Sequence, residues 1–436
     1  MKSNSLKLGI LFLLGTFSVT AQEKKNLTLE EAIQLAVTQS TESKLADTKV
    51  ATKEFEMQTV KNKQYPDLKV SGQYQRLTNA DVDFKLGGNS GGGNTPKVNQ
   101  LMLGNATASV PLFAGFKIQN NIKASRSLFE AEQFHAKDTK EQLALETVKL
   151  YVNLYKAQES EKLIQENIKR AEQRVKDFKA MEQNGLIARN DLLKAQLQVS
   201  NYQIALEDAK KNSNILNFQL VTLLKLPEET QITPNSALFA QKTETSTTSS
   251  DISSRNDLNA IRSQQKAAEA NVKIAKGNYY PSLNLMGGYI ALDLQNVMTV
   301  TNAMNFGVGL SYDLTSIFKN SKEVKAAKSK VKETEQSLEI MTDKAKIQMQ
   351  SANENYLLAQ KQNSVYQQAV EQANENYRIV KDKYDNGLAD TNDLLDADVQ
   401  QLQSKINEAY SKADVIQKYY EILAAGGKLT SSSTSN

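Results

Sequence analysis

The sequence has 436 residues, and its 53 Lys and Arg against 49 Asp and Glu give a formal net charge of +4 at pH 7. This near-neutral mixture of charges gives no indication of a nucleic-acid partner. The sequence contains no Cys, which excludes a disulfide framework and an N-terminal lipid attached through a thiol.

The first 21 residues (1–21) have the three parts of a secretory signal peptide. Lys2 and Lys7 supply a positive start, an apolar run covers 8–17, and 19–21 form a suitable cleavage site. The alternative is an anchor that is not cleaved. The apolar run is too short to cross a bilayer as a helix, and no later segment approaches 18 consecutive apolar residues. The mature chain is therefore expected outside the cytoplasm, either in solution or with strands that cross a membrane.

The first structural repeat, residues 22–226, is predicted to begin with a helix and a strand hairpin. Apolar residues at helical spacing predict the helix over 29–62. Two stretches of alternating apolar and polar residues then predict a β-hairpin over 65–113, whose loop is rich in Gly around 87–94. Each stretch has about ten residues with one apolar and one polar face, which is typical of strands that cross an outer membrane.

Two long helices complete this repeat. A helical pattern runs from about Lys117 to Gln183 without Pro or Gly, which is roughly 100 Å at ~1.5 Å per residue. A turn and a return helix follow, with the tip of the pair near 184–191. Every seventh residue of the long helix is apolar, as in a coiled coil. These residues are Leu143, Leu150, Ala157, Ile164, Ala171 and Phe178.

The same order of elements recurs in a second repeat over 254–428. It has a helix, a β-hairpin over 280–314, and a long helix pair with its tip near 386–393. Such internal duplication indicates an architecture built from two similar units. The matching tip segments lie 202 residues apart: Asn184, Gly185 and Leu186 correspond to Asn386, Gly387 and Leu388.

Two segments are expected to lie outside the repeats. Residues 227–253 form a linker that includes a stretch rich in Thr and Ser over 241–250. Residues 429–436 are expected to be a disordered tail.

Four predicted strands are too few to close a membrane barrel. The smallest such barrels have about eight strands, and an open sheet edge in lipid leaves backbone groups unpaired. If the strands cross a membrane, several chains must therefore complete the barrel together. The alternative is a small sheet packed on the helix ends, in an extended coiled-coil protein of the cell surface that has a structural or adhesive role and no pore.

The combination of these segments resembles the TolC family of outer-membrane efflux proteins. The resemblance rests on residues 27–32, the Tyr-Pro pairs at 65–66 and 280–281, residues 110–115, and the two Gly-Leu turns followed by Asp-Leu-Leu. It implies a mainly α-helical fold in which long coiled-coil helices form a periplasmic α-barrel. It also implies a transmembrane β-barrel to which each of three chains contributes four strands.

This resemblance implies the function of an outer-membrane exit duct in a tripartite export system, located in the cell outer membrane with a periplasmic extension. The partners would be two further copies in a homotrimer, a periplasmic adaptor protein, an inner-membrane transporter and outer-membrane lipid. No cofactor is implied. The cargo, whether a drug, a metal or a protein, does not follow from the sequence.

The resemblance also predicts a constriction near the tips of the helix pairs. Tyr384 stands three residues before Gly387, at the position of the family's gate tyrosine. Asp191 matches the aspartate that pairs with this tyrosine from the other repeat. Asp393 and Asp396 match a lumen-facing acidic pair.

One position departs from the family's pattern. Ala389 occupies the place of a gate arginine, and Arg189 is the nearby candidate to replace it. The two turns, Asn184-Gly185-Leu186 and Asn386-Gly387-Leu388, are expected to dock the adaptor.

The sequence also places several aspartates near the second tip, an observation that does not depend on the family resemblance. Asp390, Asp393 and Asp396 lie three residues apart on one helical face. Further acidic residues are nearby: Asp382, Asp385 and Asp398. If the tips of several chains converge, these charges gather around an axis and attract cations. The alternative is a solvated run of charges with aspartates at a helix start.

No arrangement of residues in the sequence indicates an enzyme or a metal site. The single His, His135, lies inside the long helix without a suitably spaced acidic or Cys partner, and no phosphate-binding Gly motif or His-Glu metal motif occurs. The expected function is therefore a passive conduit whose energy comes from partner proteins.

Overall fold

A computed structural model describes residues 24–81, 97–240 and 251–433 of the chain. Four sequence predictions fall wholly or partly outside these residues. They are the signal peptide over 1–21, the Gly-rich loop around 87–94, the Thr- and Ser-rich stretch over 241–250, and the last three residues, 434–436, of the predicted tail.

Long helices dominate the described part of the chain. The helices are α1 (Leu29–Gln39), α2 (Thr41–Asn62), α3 (Lys117–Gln183), α4 (Arg189–Leu224), α5 (Ala237–Ala240), α6 (Asn256–Gly277), α7 (Ser316–Asp385), α8 (Thr391–Ala425) and α9 (Leu429–Ser433). The strands are β1 (Lys24–Leu27), β2 (Asp67–Asp81), β3 (Lys97–Ala114), β4 (Gln231–Pro234), β5 (Ser282–Leu294) and β6 (Met298–Ser311). Among the helices described, none has both the length and the apolar character that a membrane crossing requires.

The predicted long helix is present with the predicted bounds. α3 has 67 residues, and its counterpart α7 has 70. Of the seven-residue series on α3, Leu143, Ala157, Ile164, Ala171 and Phe178 are buried, and Leu150 is partly buried. A narrow buried seam of this kind leaves the other faces to water, which agrees with the coiled-coil prediction.

Shorter helices stack along the two long ones. α2 and α4 both pack on α3, whereas α6 and α8 lie between α3 and α7 and contact both. The helices therefore form four columns in the order α2/α4, α3, α6/α8 and α7. The two repeats lie side by side, and the outer columns, α2/α4 and α7, each have a neighbouring column on one side only within the described chain.

The four long strands form one antiparallel sheet in the order β2-β3-β5-β6. Both predicted hairpins occur, and pairing of β3 with β5 joins them. Residues directly opposite each other share a face, so the row Val70, Ala106, Tyr289 and Met304 belongs to one apolar face. The strands have 13 to 18 residues and are longer than predicted. Among the strands that the structure describes, β2 and β6 form the two unpaired edges of this sheet.

The prediction of one helix over 29–62 was wrong, because Ser40 interrupts the helix and separates α1 from α2. Ser40 has an extended backbone, with φ −60° and ψ 153°, which ends α1. Its hydroxyl accepts a hydrogen bond from the Ser43 backbone N–H at 3.2 Å and so caps α2. Apolar spacing alone does not reveal such a break, since the cap uses a polar residue within an otherwise helical pattern.

The prediction of a disordered tail was wrong for Leu429–Ser433, which form α9. Leu429 is fully buried. The buried carboxylate of Glu141 on α3 accepts hydrogen bonds from the backbone N–H groups of Leu429 and Thr430, each at 3.0 Å. The short helix is thus held by a residue far away in the sequence, which local composition does not indicate.

The predicted linker contains β4 and α5, and β4 pairs in parallel with β1. Tyr151 of α3 connects these two strands to the largest buried core. Its hydroxyl donates to the Leu27 carbonyl at 2.6 Å and accepts from the Asn235 backbone N–H at 2.8 Å. Burial raises the pKa of Tyr151 to about 12, so the hydroxyl keeps its proton at neutral pH.

We expect Tyr151→Phe to lower the free energy of unfolding by about 1–3 kcal/mol, because it leaves the two backbone groups without their partner. Chemical denaturation followed by circular dichroism measures this loss. Tyr155→Phe is the matched control, since the ring of Tyr155 stacks on Phe239 with centroids 3.7 Å apart and that stack is kept. Equal losses in both variants would contradict the bridging role of the Tyr151 hydroxyl.

Candidate functional site

Both helix pairs turn at their tips through the same glycine geometry. Gly185 and Gly387 have φ of 71° and 73°, in the left-handed region that favours glycine. The N–H groups of Leu186 and Leu388 each bond the carbonyl five residues earlier at 2.8 Å, so both turns are Schellman motifs. The two predicted turns are therefore present and equivalent.

The turns expose both polar and apolar groups. The side chains of Asn184 and Asn386 donate to the carbonyls four residues earlier, at 2.8 and 2.7 Å. Leu186 and Leu388 are 70% and 77% exposed. Neither leucine contributes to a core of the described chain, so both are accessible to a partner. Their role in docking an adaptor stays a prediction.

Asp390 and Asp393 form a capping box at the start of α8. The Asp390 carboxylate accepts from the Asp393 N–H at 3.0 Å, and the Asp393 carboxylate accepts from the Asp390 N–H at 3.3 Å. This geometry favours the helix-start interpretation of these two residues. Asp396 lies one turn further along and is exposed. The predicted constriction concerns several chains together and stays a prediction.

Tyr384 lies at the contact between the two helix pairs. Its ring stacks on Phe178 with centroids 5.6 Å apart, and its buried hydroxyl has no hydrogen-bond partner among the described residues. Burial raises the pKa of Tyr384, and nearby Asp191 adds to the increase. The Asp191 carboxylate lies 3.8 Å from the Lys194 ammonium. The two residues predicted to pair are thus neighbours without a hydrogen bond.

Arg189 is exposed at the first position of α4. Over the described ranges, no ion pair joins it to another residue. Its predicted role in place of the arginine missing at Ala389 therefore has no counterpart within one chain, and stays a prediction for the assembled protein.

A buried polar cluster, which the sequence interpretation missed, lies where α3, α4, α7 and α8 meet. Asp398, which the sequence analysis grouped with the acidic residues of the second tip, is fully buried. Its carboxylate accepts hydrogen bonds from Arg174 Nη2 at 3.2 Å, Tyr202 Oη at 3.0 Å and Asn167 Nδ2 at 3.3 Å. Arg174 Nη2 also donates to the Tyr377 hydroxyl at 3.1 Å. We name these five residues the Arg174–Asp398 cluster.

Burial and the charge of Asp398 have opposite effects on the pKa of Arg174 and the same effect on the pKa of Tyr202. Burial opposes the positive charge of Arg174, but the Asp398 carboxylate outweighs it and holds the pKa of the guanidinium above its usual value. Burial also raises the pKa of Tyr202, and Asp398 raises it further. Both groups therefore remain donors to the carboxylate at physiological pH.

The outer surfaces of the chain expose many apolar side chains. On the sheet, Val70 is 85% and Phe306 is 92% exposed. Further exposed apolar residues lie on the outer helix columns: Phe55, Leu197 and Ile204 on α2/α4, and Ile340, Ile347 and Leu357 on α7. Large apolar surfaces of this kind, next to unpaired strand edges, indicate contact with lipid or with other chains.

Within the ranges that the structure describes, no group of three or more His, Cys, Asp or Glu residues is placed to hold a metal ion. His135 contacts Gln264 of α6, with their Nε2 atoms 3.0 Å apart. The single histidine is therefore part of the packing between α3 and α6.

We expect Asp390→Ala to destabilise the start of α8 by about 0.5–2 kcal/mol, because the variant loses the helix cap. Hydrogen exchange of the amides over 391–394 should become faster. The control is Asp396→Ala, which removes an exposed carboxylate outside the capping box. If both variants exchange at the same rate, the assignment of Asp390 as the cap is wrong.

The outer membrane efflux protein family model matches residues 31–224 and 249–428. These two segments correspond to the two repeats and together span most of the chain. No curated protein sequence matches the chain significantly.

Solved structures of outer-membrane channels share this fold. The Campylobacter jejuni CmeC channel matches over 98% of this chain and 94% of its own, at 18% identity and a TM-score of 0.77. The Neisseria gonorrhoeae MtrE channel, solved in its open state, matches over 92% and 89%, at 18% identity and a TM-score of 0.75. CusC matches over 91% of both chains, at 16% identity and a TM-score of 0.79.

None of these comparisons supports the alternative of a surface coiled-coil protein without a pore. The duplicated helices, the four-stranded sheet and the two equivalent turns all agree with the family assignment. The chain therefore belongs to the outer membrane efflux protein family and is an outer-membrane channel with a helical periplasmic extension, the exit duct of a tripartite export system.

Proposed function

We propose that three copies of this chain assemble into one continuous duct. One observation carries the proposal. The sheet and the layer of helices each have two outer elements with no neighbour on one side, and these elements come from the same repeats in both layers. β2 and α2/α4 belong to the first repeat and are open on one side, whereas β6 and α7 belong to the second repeat and are open on the other. Copies placed head to tail would pair β6 with β2 and pack α7 on α2/α4, which closes into a ring.

Three copies are the number that the family resemblance implies. Three sheets of four strands would make a barrel of twelve strands. The exposed apolar face of the sheet would meet lipid. The opposite face would line the channel with polar or small residues, among them the row Lys69, Thr107, Gly288 and Asn305.

At the other end, the tips of the helix pairs would meet a periplasmic adaptor, which connects the duct to an inner-membrane transporter. Leu186 and Leu388 supply exposed apolar contacts for such a partner. The channel itself would be passive and would catalyse no reaction, with energy and cargo selection left to the transporter.

The same tips would form the constriction of the closed duct. In a ring of three chains, Asp393 and Asp396 would gather six carboxylates near one axis. Tyr384 and Asp191 would lie at the contact between the helix pairs, and Asp390 and Arg189 would flank it. Such a ring attracts cations and binds polyvalent ones.

The assembly is tested by purifying the full chain in detergent. We expect a mass of three chains, recovery with outer membranes, and conducting pores in planar bilayers. A monomer that stays in solution and conducts no current would overturn the proposal.

We expect the double variant Asp393→Ala/Asp396→Ala to need about tenfold more of a trivalent cation to block the pores, because it removes the ring of carboxylates. Single-channel recording in planar bilayers measures the block. The matched control, Glu339→Ala/Glu371→Ala, removes two exposed acids of α7 that lie away from the tip. Block at the original concentration in the tip variant would refute the constriction.

A further inference from the structure

The helix ends next to the sheet carry an excess of positive charge. They comprise the two helical turns of α2, α3, α6 and α7 nearest the sheet, with the residues that join them to strands: 56–66, 115–123, 271–281 and 312–322. These segments contain eight lysines but two acidic residues, Glu56 and Asp313. The lysines are Lys61, Lys63, Lys117, Lys123, Lys273, Lys276, Lys319 and Lys322. We propose that these eight lysines, which we name the basic collar, bind the phosphate groups of anionic phospholipids in the periplasmic leaflet of the outer membrane.

The helix ends that carry the collar lie at one level. The side chain of Asn278, just after α6, accepts a hydrogen bond from Lys117 Nζ of α3 at 3.2 Å. The backbone carbonyl of Asn278 accepts another from Ser316 Oγ of α7 at 2.9 Å. α2 packs on α3 and ends shortly before β2 begins. In the proposed assembly, on which this inference rests, the collar would therefore surround the periplasmic end of the whole barrel.

The lysines of the collar have no acidic partners of their own. Seven of them are exposed, and Lys117 is partly buried. Over the described ranges, none of the eight forms an ion pair. By contrast, Arg126 and Lys330, slightly further from the sheet, pair with Glu130 and Glu333. A concentration of unpaired charges of one sign attracts ligands of the opposite sign, which here are anions.

The apolar face of the sheet leads directly to the collar. Leu283 of β5 lies on this face, opposite Phe113 of β3. The rings of Phe113, Phe116 and Tyr280 contact one another edge to face, with centroids between 5.2 and 6.4 Å apart. Phe116 and Tyr280 are 54% and 52% exposed. An apolar surface followed by exposed aromatic rings marks the boundary between hydrocarbon and headgroups. Because Lys117 directly follows Phe116, the collar lies at the depth of the headgroups.

The headgroup layer is deep enough for lipid phosphates to meet the collar. It occupies about 5–8 Å on each side of the hydrocarbon core, whereas two helical turns extend ~11 Å. Lysine stems bend toward the headgroups, so both turns lie within reach. Each lysine near an anionic surface corresponds to roughly a fivefold gain in affinity. A few lysines on the outer surface of the ring are therefore sufficient, and those that face the channel would not contribute.

The preference is measured on the full chain in bilayers of phosphatidylethanolamine and phosphatidylglycerol at about 3:1. A trace of either lipid carries a spin label on its acyl chain, and the immobilised fraction of each label gives its relative affinity for the protein. We expect phosphatidylglycerol, with its net negative charge, to bind about fivefold or more tightly at low salt. The difference should shrink at about 1 M salt, where the screening length is ~3 Å. Equal affinities at low salt would overturn the proposal.

Two charge variants test whether the collar causes this preference. The first has one substitution at each helix end: Lys63→Gln, Lys123→Gln, Lys276→Gln and Lys322→Gln. The second changes the other three exposed lysines: Lys61→Gln, Lys273→Gln and Lys319→Gln. All seven side chains are exposed, so the fold should be kept. We expect at least one variant to bind the two lipids equally. An unchanged preference in both would show that the collar does not bind lipid.

The matched control removes four exposed lysines of α3 and α7 that lie well away from the sheet. They are Lys169→Gln, Lys179→Gln, Lys344→Gln and Lys361→Gln. This control has the same net charge as the first variant and should keep the full preference for phosphatidylglycerol. Loss of the preference in the control would mean that total charge, rather than the collar, attracts the lipid.

Two further results would contradict the lipid assignment. A changed ratio of cation to anion permeability in the collar variants, with the lipid preference kept, would place these lysines in the channel. Loss of binding to purified peptidoglycan in the same variants, again with the lipid preference kept, would make the cell wall the partner. The lipid measurement needs neither a conducting pore nor a mass of three chains. A failure of the proposed assembly is therefore recognised separately, by its own tests.

Discussion

The structure depends on the backbone groups along the open edges of β2 and β6. A sheet edge in lipid finds no water to bond, so its N–H and C=O groups need another strand. Within the residues that the structure describes, one chain places four strands in this sheet and pairs neither of the two edges. The layer of helices is incomplete in the same way, because its two outer columns, α2/α4 and α7, expose apolar residues. In the proposed assembly, further copies complete this burial, and a tubular shape follows from that requirement.

The internal duplication supplies the architecture, and the differences between the repeats supply individual properties. Both repeats contain a strand hairpin, a long helix, a Schellman turn and a return helix. In the described chain, the contact of α3 with α8 contains the buried ion pair of Arg174 and Asp398, whereas the positions related to these two by a shift of 202 residues hold Asn376 and Gln196. A symmetric sequence would make the two kinds of junction in a ring equivalent. The charged pair removes this equivalence.

The features of the candidate site that depend on a few neighbouring residues could be predicted from the sequence. Those that depend on distant residues could not. The turns at Gly185 and Gly387 were predicted, since a positive φ after a helix is a property of a few neighbouring residues. The burial of Asp398 was not predicted from the sequence, because it depends on three other helices. Arg174 had a signal that was overlooked: it lies between Ala171 and Phe178 on the buried seam, where a charged residue requires a partner.

The sequence by itself determined the long helices, the two hairpins, the tip turns and the duplication, because periodicity and turn chemistry act over a few residues. The family followed from the combination of these local features. Only the tertiary structure decided that β3 pairs with β5, that β4 pairs with β1, and that Glu141 caps α9. These contacts join residues far apart in the chain. Which faces meet depends on the packing of whole elements, and no local pattern encodes that choice.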